Sequence, residues 1–147
     1  MKEVRTEIDI AAPAERVWAI LTGFDEFSLW NPFMRRASGK IRVGEWLDIT
    51  LQPSGTRGMR IKPQLLVVDP NRELRWIGRL ILPGIFDGEH SFTIEPVDPQ
   101  TVRLVQKEEF SGFLVPLGAK GLDGDTRRGF EEMNRALKTR AERQNVM

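Results

Sequence analysis

The spacing of apolar positions along this chain changes period twice. Val4, Thr6, Ile8 and Ile10 alternate with Arg5, Glu7 and Asp9, the period of two expected of a half-buried strand. After Ala11-Ala12-Pro13 the spacing turns helical. Val17, Trp18, Ile20 and Leu21 recur at helical intervals, Pro13 suits a first helical turn, and Gly23 ends it. A second helical turn is expected at Asp25–Leu29, before Trp30-Asn31-Pro32-Phe33 forces the chain extended, because a residue preceding proline avoids the helical region. Period two then returns, predicting strands at Arg35–Arg42, Glu45–Gln52, Met59–Val68, Glu73–Leu82, Phe86–Val97 and Thr101–Phe110. Turn formers such as Val43-Gly44, Pro53-Ser54-Gly55, Asp69-Pro70-Asn71, Pro83-Gly84 and Asp98-Pro99-Gln100 separate them. From about Asp125 onward Thr126, Phe130, Met133, Leu137 and Ala141 step by three or four residues, with charged residues between them, which predicts one long amphipathic helix.

With no long helix between strands, hairpins and a meandering antiparallel sheet are expected. Such a sheet buries its apolar face by curling round the terminal helix, enclosing whatever space the helix leaves unfilled. The expected class is α+β, a single domain over residues 1–147. Strand parity then names an inner face. Phe86, Gly88, His90, Phe92 and Ile94 form one inward row, and Val102, Leu104, Gln106, Glu108 and Phe110 a second. Two more are Met59, Ile61, Pro63, Leu65 and Val67, and Leu74, Trp76, Gly78 and Leu80.

Composition excludes several functions. Twenty-two Lys and Arg against twenty-one Asp and Glu give +1, so no global field draws in nucleic acid or an anionic membrane. The start, Met-Lys-Glu-Val-Arg-Thr-Glu, has no signal-peptide core, and no apolar run reaches membrane-spanning length; the chain reads as cytoplasmic, without stable membrane insertion. One His and no Cys or Tyr exclude a thiolate nucleophile and a multi-histidine metal site, and no phosphate-binding glycine loop or nucleophile elbow occurs. No metal or cofactor is expected. The Asp123-Gly124-Asp125 run reads as a turn and helix N-cap, since the later bidentate Glu of a calcium loop is missing.

Several motifs occur together in one order: Ala-Pro-Ala-Glu-Arg-Val-Trp, Trp30-Asn31-Pro32-Phe33, Gly44 into Glu45-Trp46-Leu47, Asp69-Pro70-Asn71-Arg72-Glu73-Leu74 into Trp76, Gly88-Glu89-His90-Ser91-Phe92, and Glu109-Phe110-Ser111-Gly112. In that order the chain resembles the START-like (SRPBCC) superfamily, in its polyketide cyclase/dehydrase-like branch. The resemblance implies a helix-grip fold, a curved seven-stranded antiparallel sheet wrapped around a long C-terminal helix, with a hydrophobic cavity between them. It implies a small hydrophobic ligand and leaves activity open, because the superfamily spans carriers, receptors, aromatase/cyclases and chaperone-associated proteins.

The sharpest site expectation comes from the Val97–Thr101 turn. With Asp98-Pro99-Gln100 as its loop, Phe92 falls opposite Gln106 and His90 opposite Glu108, whereas a one-pair shift sets Phe110 opposite His90. His90 then stands as the polar centre of the pocket, with Glu108 and Gln106 as neighbours, orienting a ligand or acting as a general base. The plain alternative is a hydrogen-bonded structural histidine. Candidate ligand contacts are Trp76, His90, Phe92, Gln106, Glu108, Phe110, Met59, Ile61, Phe130 and Met133; Trp76, Phe92 and Met133 serve equally as core. The loops Leu82-Pro83-Gly84-Ile85 and Phe113-Leu114-Val115-Pro116-Leu117 fit an entrance gate or a homodimer interface. Three functions stay open: a binder or carrier of a lipid, polyketide-like aromatic or isoprenoid; a cyclase/dehydrase-like enzyme using His90 and Glu108; and a chaperone-associated protein-binding module.

Overall fold

The computed structural model describes residues 2–79, 87–112 and 122–143. The two apolar loops, Leu80, Phe86 and the Asp123 side chain lie outside the described residues. Strand β1 (Lys2–Ile10) leads into α1 (Ala14–Thr22), a 3-10 turn (Phe24–Glu26) and the one-turn α2 (Phe27–Trp30). Strands β2 (Met34–Ser38), β3 (Asp48–Leu51), β4 (Met59–Ile61), β5 (Gln64–Asp69), β6 (Glu73–Arg79), β7 (Asp87–Asp98) and β8 (Thr101–Ser111) follow. A π-helical turn (Leu122–Thr126) opens the terminal helix α3 (Arg127–Arg143).

The expected single seven-stranded sheet is instead two sheets, β1-β8-β7-β6-β5 and β2-β3-β4. The predicted strand Met59–Val68 breaks at Lys62–Pro63, because proline has no N–H to give to a ladder. Across that break the pairing is irregular: Leu47 N–H donates to the Pro63 carbonyl at 2.8 Å, and Leu65 N–H to that of Glu45 at 2.9 Å. The sheets are therefore joined by loop backbone, with a lone bridge between Trp46 and Gln64.

Parity holds along β7 and β8 and weakens on β4, where Met59 of the predicted inward row is half exposed. Gly88, His90, Phe92 and Ile94 on β7 are buried, as are Val102, Leu104, Gln106 and Phe110 on β8. On β5 a bulge after Leu65 sets Leu65 opposite Trp76 but Val68 opposite Leu74, so Val68 and not Val67 packs on the core. The β7–β8 register is the derived one, reached by a different turn. Asp98 pairs with Thr101 across a two-residue loop, and an irregularity at Val97 restores Pro96 opposite Val102.

Helix α3 lies in the concave face. Phe130, Met133, Leu137 and Ala141 have no exposed surface, matching the apolar stripe that the spacing predicts. Asp125, expected as a cap, instead accepts from Arg128 at 3.0 Å. Gly129 brings the helix close to Phe33: a Cβ there would stand 2.4 Å from a ring carbon. At the far end Glu142 accepts from Lys138 at 2.6 Å and from the Ala11 N–H at 2.8 Å, tying the helix to the β1–α1 corner.

Gly129→Ala gains up to about 1 kcal/mol of helix propensity but forces a methyl into the buried Phe33 ring, an overpacking cost of about 1–3 kcal/mol. Urea denaturation should therefore show a net loss of stability. A second test uses pH. The Lys138 hydrogen bond, then that of Ala11, holds the Glu142 carboxyl below its ordinary range. Its contribution is present above the unfolded carboxylate pKa and fades as pH falls through the lower folded value. Solvent screening keeps it small, and Glu142→Gln should flatten that part of a stability–pH profile.

Candidate functional site

A cavity of about 390 Å³ opens between the two sheets and the start of α3. That volume suits a small-molecule site, typically about 300–1,000 Å³. Its floor is Trp76 and Gly78 of β6, Gly88 of β7 and Glu108 and Phe110 of β8; Leu51, Met59 and Ile61 of the small sheet face them, and Phe33 closes one side. Most of this lining is apolar. Two glycines shape this floor, pairing directly across β6 and β7: Gly78 leaves open space where a side chain would stand, and the place of a Gly88 side chain is taken by the Glu108 carboxyl.

The rim is held by local chemistry. Buried Asn31 accepts with its Oδ1 from the N–H groups of Phe33 (3.0 Å) and Met34 (2.8 Å), folding the chain around Pro32 and aiming Phe33 at the cavity. Arg128 on α3 donates to the Ser54 carbonyl at 2.7 Å and to its hydroxyl at 3.0 Å, strapping the β3–β4 loop to the helix.

Behind the floor runs a buried polar chain. His90 Nδ1 lies 3.2 Å from Glu108 Oε1 and Nε2 3.0 Å from Gln106 Oε1. Gln106 Nε2 donates to Asn134 Oδ1 at 2.7 Å, Asn134 Nδ2 to Thr6 Oγ1 at 2.8 Å, and the Thr6 hydroxyl to the Gln106 carbonyl at 3.0 Å. The imidazole is 3% exposed and boxed by rings: stacked on Trp76 at 5.1 Å, with Phe92 at 4.8 Å and Phe130 edge-on at 4.9 Å.

Comparison with known proteins adds family membership. A family profile described as polyketide cyclase/dehydrase and lipid transport matches residues 1–142. The chain belongs to this family. No curated protein matches it. Among solved structures, an aromatase/cyclase from Streptomyces is 18% identical with a TM-score of 0.72, covering 97% of this chain and 94% of its own. A START superfamily protein from Mycobacterium smegmatis is 21% identical at 0.72, covering 97% and 98%. Norcoclaurine synthase from Thalictrum flavum, solved with dopamine and hydroxybenzaldehyde, is 14% identical at 0.72, covering 97% and 87%. At these identities the likeness establishes the START-like fold alone.

Within that fold, Met59, Ile61, Trp76, Glu108 and Phe110 line the cavity, while His90, Phe92, Gln106, Phe130 and Met133 are not among its lining residues. The histidine expected at the polar centre lies behind Glu108 and Trp76, because the ring fills the space between β7 and α3 and both nitrogens are engaged by protein. Of His90 and Glu108, it is Glu108 that lines the cavity. Parity places Gly78 and Gly88 in the inward rows but gives no weight to a missing side chain, so neither is among the expected contacts; the available signal was glycine at two inward strand positions. A second cleft of about 530 Å³ lies by Phe24 and Ser28, but its charged walls include Arg60 and Asp48, which pair with each other. Among the described residues no cluster of metal-ligating side chains occurs, and no helix is long and apolar enough to cross a membrane.

Asn134 is the joint of the polar chain. Asn134→Leu leaves the Gln106 amide and the Thr6 hydroxyl each short of a partner, an expected loss of about 1–3 kcal/mol in urea denaturation. A double-mutant cycle with Gln106→Leu should return a coupling energy well away from zero.

Proposed function

We propose that this protein binds a small, largely hydrophobic molecule in the cavity, as a binder or carrier. A lipid, a polyketide-like aromatic or an isoprenoid fits the lining. The observation that carries this reading is the apolar wall formed by Trp76, Phe110, Met59, Ile61 and Phe33 around the Glu108 carboxyl. Burial of an apolar guest against those side chains supplies the affinity, at roughly 25 cal/mol for each Å² removed from water. The described polar groups facing the space are few, so shape and apolar area dominate over hydrogen bonding. Family membership supports the same reading.

A second reading is a cyclase/dehydrase-like enzyme, and one contact favours it. The 3.2 Å approach of His90 Nδ1 to Glu108 Oε1 sets two titratable groups in line, one of them on the cavity wall. In that role Glu108 meets the substrate and His90 acts through it.

Native mass spectrometry of freshly expressed protein should reveal a co-purifying apolar compound. Titration with the neutral dye N-phenyl-1-naphthylamine should change tryptophan emission and raise the melting temperature, since a ligand at about 100 times its Kd stabilises by about 2.7 kcal/mol. Trp76→Phe should remove most of the emission change, leaving Trp18, Trp30 and Trp46 silent. A dye that moves neither emission nor melting temperature would sink the binder reading.

A further inference from the structure

We propose that the cavity selects hydrophobic molecules bearing a hydroxyl group, which donates its proton to Glu108 Oε2, and that it rejects carboxylates of the same shape. This rests on reading the cavity as a ligand site and adds the polar group the ligand must carry.

Proton bookkeeping along the buried chain leads there. The Thr6 hydroxyl owns one proton, and it goes to the Gln106 carbonyl, which can only accept. Thr6 Oγ1 must therefore receive from Asn134, which turns the Asn134 amide nitrogen toward Thr6 and its oxygen toward Gln106. Gln106 in turn presents its nitrogen to Asn134 and its oxygen to His90. The backbone carbonyl of Phe130, 3.4 Å from Gln106 Nε2, favours the same orientation. Facing an oxygen that only accepts, His90 Nε2 must carry a hydrogen.

The Nδ1 atom then meets Glu108 Oε1 at 3.2 Å. Two lone pairs at that separation repel, so one proton lies between these atoms. It belongs either to a carboxylic acid beside a neutral imidazole or to an imidazolium beside a carboxylate. Both forms have zero net charge, and both leave Glu108 Oε2 without a hydrogen.

That oxygen lies over Gly88 of β7, itself a lining residue. Among the described residues no protein donor reaches Oε2, and Glu108 lines the cavity. Glycine at that position is what makes room for it: a Cβ on Gly88 would stand 2.2 Å from Oε2. A bare acceptor on an apolar wall is best satisfied by a neutral donor. A hydroxyl meets that need, an ammonium would bring a net charge into the wall, and a carboxylate would set oxygen against oxygen. Arg57 and Asp125, the other charged residues of the lining, are both exposed to solvent, and Asp125 is paired with Arg128 at 3.0 Å, so water screens what charge they bring.

The test compares three probes of one shape at neutral pH: 2-naphthol, 2-methylnaphthalene and 2-naphthoate, titrated calorimetrically into the intact protein. Naphthol should bind about tenfold or more tighter than methylnaphthalene, with naphthoate the weakest, a preference set by one hydrogen bond. Glu108→Leu should erase the naphthol preference while methylnaphthalene affinity stays within about twofold, the hydrogen bond being the part removed. Gly88→Ala, which displaces the carboxyl and leaves it in the chain, should reduce the preference and serves if the leucine variant does not fold. His90 is a positioning residue, so His90→Phe should narrow the ratio of naphthol to methylnaphthalene affinity, a readout that a change in stability alone leaves untouched. Equal affinity for naphthol and methylnaphthalene in the parent protein overturns the proposal and leaves the cavity reading intact. So does a preference for naphthoate. If none of the three binds, the cavity reading fails and takes this proposal with it.

Discussion

Strand β8 is hydrogen-bonded along both edges, to β1 on one side and β7 on the other, and the parity of its side chains decides what the concave face contains. Leu104, Gln106, Glu108 and Phe110 share that face. Because the side-chain period is two, a one-residue slip would exchange this set for Arg103, Val105, Lys107 and Glu109 and empty the interior of its design. The double pairing holds the register from both sides. It places Thr6 opposite Gln106 across one ladder and His90 opposite Glu108 across the other, so the polar chain under the cavity is a product of strand registration.

That chain resolves a conflict the interior would otherwise face. A glutamine, an asparagine, a threonine and a histidine are all buried, and each unpaired polar group there would cost on the order of 1–3 kcal/mol. Ordered head to tail, they satisfy one another and join β1, β7, β8 and α3 through directional contacts. Around them Phe92, Phe130, Leu104 and Met133 exclude water, which strengthens every hydrogen bond inside. Apolar burial seats the helix, and the polar chain sets its rotation and height.

Much of this was readable from spacing. The inward rows of β6, β7 and β8, the stripe of α3 and the pairing of His90 with Glu108 follow from alternation and one turn. What spacing missed has physical causes. The register survived although the turn has two residues where three were expected, because an irregularity at Val97 absorbed the difference. A bulge after Leu65 exchanged Val67 for Val68, and Pro63 divided one predicted strand into two belonging to different sheets. Such irregularities add or remove a single residue, a change too small for a periodic pattern to register. The site was half legible for a related reason. Parity says which side of a strand a residue faces, but not whether helix or empty space lies beyond it. His90 and Glu108 are inward neighbours on that count, yet the first meets Phe130 and the second the cavity.

Gly78 and Gly88 lie side by side on the cavity floor, and their surroundings differ. A methyl added at Gly78 would find its nearest atoms 4.0 Å away, an ordinary contact, whereas one at Gly88 would strike the Glu108 carboxyl. Neither change touches the backbone ladder, since alanine keeps the same N–H and C=O groups. Evolution thus has two separate dials on this floor, one that trims volume a methyl at a time and one that switches the polar group. A single codon change at either position alters the size or the polarity of the floor while leaving the scaffold alone.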